Sequence, residues 1–383
     1  MTEPSGNPTI TLCITELDRG GAEKALVHIA CGLQDRGWIV RVISLRDAGV
    51  MAEPLQQSGI EVVALHCGGM ADLRCYGRLR EQLRTHRTDV LLSFLHQANV
   101  YGRLAGRAAG VPVIVSGIRV ADRRRWVLMT DRWTRSRVDH YIAVSPSVAR
   151  FHAAACGIPD EQMSAIPNGV DSVSADVVTA SRWFQTDGPS ARPEPLNLLF
   201  VGRLTAQKNP LLLLDVFERL VPESRMSATL TYVGDGPLKS QLQQQITSRG
   251  LQNSVRLVGA VENVRPFWQT ASVLLLPSRW EGMPNVVLEA MAAAVPVVAS
   301  SVDGVSDVLT DSETGWLVKE ADPDRWAESL QALVEQPGEV RRRVKAAKTL
   351  VERDFSWSSV VQQYDGLLRS LRDQQPVPGS VNW

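Results

Sequence analysis

The chain alternates short apolar runs with longer segments in which apolar residues recur every three or four positions. Short apolar runs that end in glycine, proline or polar residues are typical of buried strands in a parallel sheet. The runs that predict strands are Ile10–Thr15, Val40–Leu45, Glu61–Leu65, Val90–Phe94, Val113–Ser116, Tyr141–Ser145, Leu196–Val201, Thr229–Val233, Val255–Val258, Val273–Leu276 and Val297–Ser300. Helical segments such as Ala22–Gln34 and Tyr76–Thr85 lie between them. This alternation predicts an α/β protein with parallel sheets.

The length and composition of the chain fit two globular domains. A chain of 383 residues is long enough to form two complete hydrophobic cores. Hydrophobic residues make up 44% of the chain and charged residues 21%, as in globular proteins. Residues 172–195, which contain serine, threonine, aspartate, glycine and three prolines, separate two groups of predicted strands. We interpret this segment as a variable linker.

The stretch Glu281–Ala294 follows the predicted strand Val273–Leu276. A turn with glycine and proline leads into Val286–Ala294, which predicts a helix. The unpaired backbone N–H groups and the dipole at a helix start attract phosphate. Glu281 and Glu289 flank this point, and carboxylates accept hydrogen bonds from sugar hydroxyls. The stretch favours a site for a sugar linked to phosphate; the alternative is an ordinary strand–turn–helix with solvated glutamates.

Two features follow predicted strands in the first half of the chain. Gly20 and Gly21 lie between a strand and a helical segment, and glycines let the backbone approach a ligand closely. Their spacing is not that of the dinucleotide fingerprint G-x-G-x-x-G. His96 follows Val90–Phe94, at the strand end where doubly wound sheets bind ligands. The alternatives are a plain tight turn and a structural histidine.

Two cations and a glycine turn follow predicted strands in the second half. Arg203 and Lys208 lie just past Leu196–Val201, and a guanidinium with an ammonium group can neutralise a diphosphate. Gly234 and Gly236 form the turn after the next predicted strand. These positions favour binding of a phosphorylated ligand. The alternative is that both cations are ordinary surface charges.

The segment Arg119–Arg137 contains seven arginines and two tryptophans. Trp126, Met129 and Trp133 are spaced to lie on one face of a helix. A basic helix with aromatic anchors is typical of binding to an anionic membrane surface, and it also suits phosphate-bearing lipids. The alternative is an ordinary helix of the first domain, with its tryptophans in the core and its arginines in solvent.

Charge and cysteine content exclude several classes of protein. The formal net charge is zero, so the chain lacks the basic excess of nucleic-acid-binding proteins. An odd cysteine count without C-x-x-C spacing argues for a reducing cytosol and against a disulfide framework or a cysteine zinc site. The five cysteines are Cys13, Cys31, Cys67, Cys75 and Cys156. The N-terminal sequence has no signal-peptide pattern, and no apolar run approaches the ~20 residues that span a bilayer. We expect a cytoplasmic protein, soluble or peripheral on the inner face of the cytoplasmic membrane.

Five segments, in this order, resemble the motifs of the retaining glycosyltransferases of family 4. The segments are Gly20–Glu23 (GGAE), Asn168–Asp171 (NGVD), Val201–Leu204 (VGRL) with Lys208 and Asn209, Tyr232–Leu238 (YVGDGPL), and Glu281–Ala294 with its two glutamates in E-x7-E spacing. Each motif is weak alone, but together they span nearly the whole chain and are highly specific.

The resemblance implies the GT-B architecture, in which two Rossmann-like α/β domains face each other across a cleft. An N-terminal domain that binds the acceptor would comprise residues 1–180. The C-terminal residues 356–383 would form a helix that crosses back to it. A C-terminal domain that binds the nucleotide sugar would comprise residues 181–355.

The implied activity is retaining transfer of a hexose or N-acetylhexosamine from a nucleotide diphosphate sugar. UDP is the favoured nucleotide, and the acceptor is a saccharide or a polyprenyl-linked saccharide, as in the synthesis of cell-envelope polysaccharides. The resemblance places Glu281 and His96 at the donor sugar and Glu289 at the ribose. Arg203 and Lys208 complete the implied catalytic set.

The resemblance also implies a donor site without a metal ion. The donor-binding residues would be Gly20, Gly21, Gly234, Gly282, Met283, Pro284, Asn285, Val286 and Glu289. Fixed cations would replace the metal, so no cofactor is expected. The one D-x-D pair, Asp322 with Asp324, lies outside the motifs and predicts the start of a helix. Two alternatives remain open, a sugar-nucleotide-binding protein without activity and a GT-B UDP-sugar epimerase.

Overall fold

The computed structural model describes residues 7–69, 72–171, 184, 195–223 and 227–374. It divides the chain into two compact units, Met1–Gly169 with Trp357–Trp383, and Val170–Ser356. The motif Asn168–Asp171 therefore lies where one unit gives way to the other. The predicted boundary at residue 180 and the predicted linker, residues 172–195, lie outside the described residues apart from residues 184 and 195.

The described part of the first unit contains one parallel sheet of seven strands. The strands are β1 (Thr9–Ile14), β2 (Ile39–Ser44), β3 (Glu61–Ala64), β4 (Val90–Phe94), β5 (Val113–Ile118), β6 (His140–Ala143) and β7 (Met163–Ala165). Their order in the sheet is β3-β2-β1-β4-β5-β6-β7. Every residue of β4 and β5 is buried, which explains the unbroken apolar sequences of the central strands.

Helices connect these strands. They are α1 (Gly21–Asp35), α2 (Ala52–Gln57), α3 (Leu73–Thr85), α4 (His96–Ala109), α5 (Arg125–Thr134) and α6 (Pro146–Cys156). The buried residues of α1 include Leu26, Ile29 and Leu33, which lie on one face of the helix and join the core that contains β1. The apolar periodicity of this segment therefore forms the contact between helix and sheet.

A disulfide joins Cys67 and Cys75, although the cysteine count argued against a disulfide framework. Cys67 follows β3 and Cys75 lies in the first turn of α3, with their Cα atoms 5.3 Å apart. An odd cysteine count excludes complete pairing, but it does not exclude one local bridge between a strand end and the next helix. The odd cysteine count therefore no longer supports a reducing compartment for this protein.

The described part of the second unit contains a parallel sheet of six strands. The strands are β8 (Leu196–Val201), β9 (Ala228–Val233), β10 (Val255–Gly259), β11 (Val273–Leu276), β12 (Val297–Ser300) and β13 (Trp316–Val318). Their order is β10-β9-β8-β11-β12-β13. This order matches that of β3-β2-β1-β4-β5-β6 in the first sheet, so each unit is a doubly wound α/β domain.

The helices of the second unit are α7 (Leu212–Glu223), α8 (Lys239–Ser248), α9 (Arg265–Thr270), α10 (Asn285–Ala292), α11 (Pro323–Glu335) and α12 (Pro337–Asp354). Asp322 is the N-cap of α11, and its carboxylate accepts a hydrogen bond from the Asp324 amide. The interpretation of this D-x-D pair as a helix start is thus confirmed.

The last helix, α13 (Trp357–Asp373), belongs to the first unit. The Trp357 ring stacks on His28 of α1 with 4.2 Å between ring centroids. The Trp38 indole donates a 2.7 Å hydrogen bond to Asp365. The predicted return of the C-terminal helix to the N-terminal domain is therefore confirmed.

Candidate functional site

The order of strands in the second sheet reverses between β8 and β11. The chain proceeds from β8 outward to β9 and β10 on one side, and from β11 to β12 and β13 on the other. Doubly wound sheets bind ligands beyond the carboxyl ends of the strands at such a switch point. The two loops that begin there, residues 202–211 and 277–284, contain six of the thirteen predicted site residues, including Arg203, Lys208 and Glu281.

Lys208 and Glu281 form an ion pair at this switch point. The Lys208 Nζ atom lies 2.5 Å from Glu281 Oε1, and the Ser278 hydroxyl donates a 2.6 Å hydrogen bond to the same oxygen. The Glu281 side chain is only 7% exposed, and that of Lys208 is 15% exposed. One carboxylate oxygen is thus fixed by two donors, which orients the group and leaves Oε2 as a further acceptor.

Two hydrogen bonds, one between backbone groups and one from a side chain, connect the two loops. The Arg279 amide donates to the Gln207 carbonyl over 2.8 Å, and the Gln207 side-chain amide donates to the Trp280 carbonyl over 2.9 Å. These bonds hold Lys208 and Glu281 next to each other from separate loops. Arg203 lies on the same loop as Lys208, and its side chain is exposed.

Helix α10 begins at Asn285, four residues after Glu281. Its N-cap residue is Pro284, whose side chain offers no hydrogen-bond acceptor to the first amides of the helix. Glu289 lies one turn after Asn285, so both side chains occupy the same face. Gly282 and Pro284 are buried. The half-buried residues of this stretch are Met283, Asn285, Val286 and Glu289.

Glycines allow the loops at the carboxyl ends of the strands to pack closely. A Cβ atom on Gly234 would lie 2.0 Å from the Gly202 carbonyl oxygen, and Gly234 has a φ of 141°. A Cβ atom on Gly304, where φ is 80°, would lie 2.5 Å from the Gly282 carbonyl oxygen. Only glycine meets both the steric and the backbone requirement at these positions.

The first unit has its own switch point, between β1 and β4. Gly20 is the N-cap of α1, and Gly21 is its first residue. The Glu23 side chain folds back over Gly20, where a Cβ atom would lie 2.1 Å from Glu23 Oε2. Burial raises the pKa of Glu23, and no local pattern predicts a buried carboxyl at this position.

His96 is the first residue of α4, at the end of β4. Leu95, which precedes it, has a φ of 71°, a conformation that is unfavourable for a non-glycine residue. The Ala98 amide donates to the Thr15 hydroxyl over 3.3 Å, which joins the turn after β4 to the end of β1. Burial lowers the pKa of His96, and the nearby Asp131 carboxylate acts in the opposite direction.

The structure thus gathers the predicted site residues into two sets. Gly20, Gly21 and His96 lie at the switch point of the first unit, and all the others lie near that of the second. The sequence analysis missed Ser278 and Gln207, which orient Glu281 and join its loop to that of Lys208. Ser278 could have been noticed as a hydroxyl at a strand end, three residues before Glu281.

Within the described residues, one group of side chains has the composition of a metal site. Asp131, His152 and Cys156 are all buried and offer ligand atoms within 4.8 Å of one another. However, the Arg103 guanidinium donates a 2.6 Å hydrogen bond to Asp131. The Arg103 guanidinium therefore supplies the positive charge beside Asp131 that a metal ion would otherwise supply. The group is a buried ion pair with polar neighbours.

Helix α5 exposes Trp126, Met129 and Trp133 on one face. We call this surface, together with the adjacent Arg124 and Arg137, the aromatic–basic face. Trp126 is 47% exposed, Met129 70% and Trp133 64%. The Arg124 and Arg137 guanidinium groups lie over the Trp126 and Trp133 rings. The alternative interpretation, with both tryptophans in the core, is therefore wrong. Across the part of the chain that the structure describes, no helix is long and apolar enough to cross a bilayer.

Both halves of the chain match known protein families. Residues 19–173 match the model described as Glycosyltransferase Family 4, and residues 195–336 match the model described as Glycosyl transferases group 1. HepE from Anabaena, solved in complex with UDP, superposes with a TM-score of 0.80 at 21% identity, over 94% of this chain and 100% of HepE. The fold is therefore that of the two-domain GT-B glycosyltransferases. The chain itself belongs to glycosyltransferase family 4.

Relatives of known activity extend along much of the chain. Glycogen synthase of Mycobacterium tuberculosis is 28% identical over 259 residues, which are 66% of this chain and 60% of that enzyme. An alpha-1,4-N-acetyl-D-galactosaminyltransferase of Campylobacter jejuni, named for a PP-undecaprenol-linked saccharide, is 24% identical over 384 residues. That match covers 95% of this chain and 99% of the relative. The sequence match to glycogen synthase thus spans only about three-fifths of that relative.

Proposed function

We propose that this protein transfers a sugar from a nucleotide diphosphate sugar, with retention of stereochemistry. The observation that carries the proposal is the Lys208–Glu281 pair at the switch point of the second unit, beside the start of α10. The pair offers a fixed cation for phosphate and an oriented carboxylate for sugar hydroxyls. Family membership supports this interpretation of the site.

The proposed chemistry depends on charge rather than on a protein nucleophile. When the glycosidic bond breaks, negative charge moves onto the diphosphate leaving group. Arg203, Lys208 and the amides at the start of α10 would stabilise that charge, which makes a metal ion unnecessary. Glu281 would accept hydrogen bonds from the donor sugar. The acceptor hydroxyl would lose its proton to the departing phosphate on the same face of the sugar.

We propose UDP as the nucleotide, with a hexose or N-acetylhexosamine as the sugar. HepE, which shares the fold, has been solved with UDP and with UDP-glucose. For the acceptor we propose a saccharide carried on a polyprenyl diphosphate, because the Campylobacter relative is named for such a substrate. The aromatic–basic face is compatible with a lipid-borne acceptor.

A screen of nucleotide sugars in EDTA tests the donor and the absence of a metal together. We expect one UDP-sugar to raise the melting temperature and to release UDP slowly, whereas GDP- and ADP-sugars have smaller effects. Activity that requires added Mg²⁺ or Mn²⁺ would contradict the metal-independent mechanism. Stabilisation by a donor without any release or epimerisation of its sugar would favour a sugar-nucleotide-binding protein instead.

We further propose that the aromatic–basic face binds an anionic membrane surface. Exposed tryptophan rings insert favourably at the boundary between lipid headgroups and acyl chains, and the surrounding guanidinium groups attract anionic headgroups. The face presents the tryptophans on one helix of the first unit, with Arg124 and Arg137 flanking the two ends of that helix. Binding there would keep the enzyme close to a lipid-linked acceptor.

Vesicle flotation tests this membrane contact. Because burial of a large apolar side chain contributes roughly 1.5–3 kcal/mol, loss of both rings in Trp126→Ala/Trp133→Ala should weaken partitioning onto phosphatidylglycerol vesicles by at least about 100-fold. Leu73→Ala, which alters a residue of α3 that is 83% exposed, serves as the control and should float like wild type. Equal flotation of the double variant and wild type would refute the membrane contact.

A further inference from the structure

His96 is surrounded by side chains of helix α5. The Thr130 hydroxyl lies 3.1 Å from His96 Nε2. The Trp126 ring meets the imidazole edge-on, with 5.0 Å between centroids and 82° between planes. Asp131 Oδ1 lies 3.9 Å from His96 Nδ1. The same helix therefore supplies the exposed aromatic–basic face and the immediate surroundings of the predicted site histidine.

Helix α5 is anchored on its buried side. The Arg103 guanidinium, which is fully buried, donates hydrogen bonds to Asp131, to the Thr134 hydroxyl over 2.8 Å and to Ser116 over 2.9 Å. This network fixes the helix against α4 and β5. The orientation of Trp126 and Thr130 relative to His96 is consequently defined by the core of the domain.

Thr130 selects one tautomer of His96. Its hydroxyl also lies 2.8 Å from the Val127 carbonyl oxygen, which can only accept a hydrogen bond. The hydroxyl proton therefore points to Val127, and the hydroxyl oxygen accepts from His96 Nε2–H. In the neutral ring this arrangement favours the tautomer with its proton on Nε2, whereas the Asp131 carboxylate, 3.9 Å from Nδ1, acts in the opposite direction.

We propose that Thr130 and Trp126 are positioning residues for His96, and that an anionic lipid surface on the aromatic–basic face acts on turnover through them. Trp126 is the link, because its ring is half exposed on that face and also contacts the imidazole. Docking on lipid would thus change the chemical step and not only the local concentration of acceptor. The inference rests on the proposed transferase activity.

Release of UDP from UDP-glucose, with and without vesicles of phosphatidylcholine and phosphatidylglycerol, provides the kinetic test. Thr130→Val, which keeps the shape but removes the hydroxyl, should lower kcat about tenfold with little change in KM, and Thr130→Ser should restore it. Trp126→Ala and Trp133→Ala form a matched pair, since both remove an exposed tryptophan from α5. Trp126→Ala should lower kcat at least about fivefold more than Trp133→Ala.

Nitrogen NMR of the histidine rings provides a second measurement that needs no turnover. His96→Gln assigns the His96 signals, and the wild-type spectrum should show the Nε2–H tautomer. In Thr130→Val the His96 ring should no longer prefer the Nε2–H tautomer. Vesicles should shift the His96 signals in wild type but not in Trp126→Ala.

The two measurements separate the possible failures. Wild type that releases no UDP, while its His96 signals respond as expected, contradicts the proposed donor chemistry but supports the link through α5. Active wild type with unchanged kcat and unchanged His96 signals in Thr130→Val and Trp126→Ala would overturn the inference.

Discussion

Glu281→Gln is expected to lower kcat/KM for the donor by about 10²–10³-fold without unfolding the protein. Glutamine keeps the size of the side chain, and its carbonyl oxygen still accepts from Ser278 and Lys208. The substitution removes the negative charge that balances Lys208. It also removes the second carboxylate oxygen, which would accept hydrogen bonds from sugar hydroxyls. Because the side chain is only 7% exposed, solvent cannot replace that acceptor readily.

A double-mutant cycle with Lys208→Met sharpens this prediction. Lys208→Met alone leaves the Glu281 carboxylate buried without its partner and should cost about 3 kcal/mol of unfolding free energy. The double variant should recover much of that loss, because neither charge remains, but none of the activity. Initial rates of UDP release and urea unfolding measure the two effects separately.

Glu339→Gln supplies the control for Glu281→Gln. Glu339 is a glutamate of the same unit that pairs with Arg342 and Arg343 on α12, away from the switch point. Its substitution should leave turnover unchanged. Wild-type kcat/KM in Glu281→Gln would show that the carboxylate has no role at the donor, and the proposed site would then be wrong.

The sequence predicted the central strands well because burial on both faces gives them an unmistakable apolar pattern. Val90–Phe94 and Val273–Leu276 were expected as strands and occur with those bounds. The edge strands β7 and β13 were missed. Each has only three residues and is partly exposed, so neither carries a clear alternation or an apolar run.

The candidate site was predictable where its residues follow strand ends, and unpredictable where it depends on contacts between loops. Lys208 and Glu281 were both expected, since each follows a recognisable strand. Their direct contact depends on Gln207, which bonds to the other loop 73 residues away in sequence. The contact between His96 and Thr130 likewise depends on how α4 and α5 pack, which no local pattern encodes.

Contacts that depend on the tertiary fold also explain why the Cys67–Cys75 disulfide was not expected. They explain as well why the sequence did not decide whether the α5 tryptophans face the core or solvent. Cys67 and Cys75 meet because α3 starts beside the end of β3, and spacing alone does not define that approach. Trp126 and Trp133 lie at helical spacing whether they face core or solvent. Periodicity shows that residues share a face, but the tertiary fold decides where the face points.

Gly234→Ala is expected to destabilise the second unit by about 3–5 kcal/mol and to abolish most activity. The new Cβ would lie 2.0 Å from the Gly202 carbonyl oxygen, and alanine disfavours the φ of 141° found there. Relief of the clash requires the end of β8 to move, together with the loop that holds Lys208. Folded variant protein should therefore turn over donor far more slowly than wild type.

Gly250→Ala separates backbone strain from the steric clash. Gly250 also has a positive φ, 71°, but a Cβ atom there meets nothing within 4 Å. This control should lose about 1 kcal/mol, the cost of the left-handed conformation alone, and keep its turnover. Urea unfolding and UDP release of both variants compare the two positions. Equal stability losses would mean that the contact between Gly234 and Gly202 does not hold the donor loop, because the clash and the less favourable φ both predict a larger loss at Gly234.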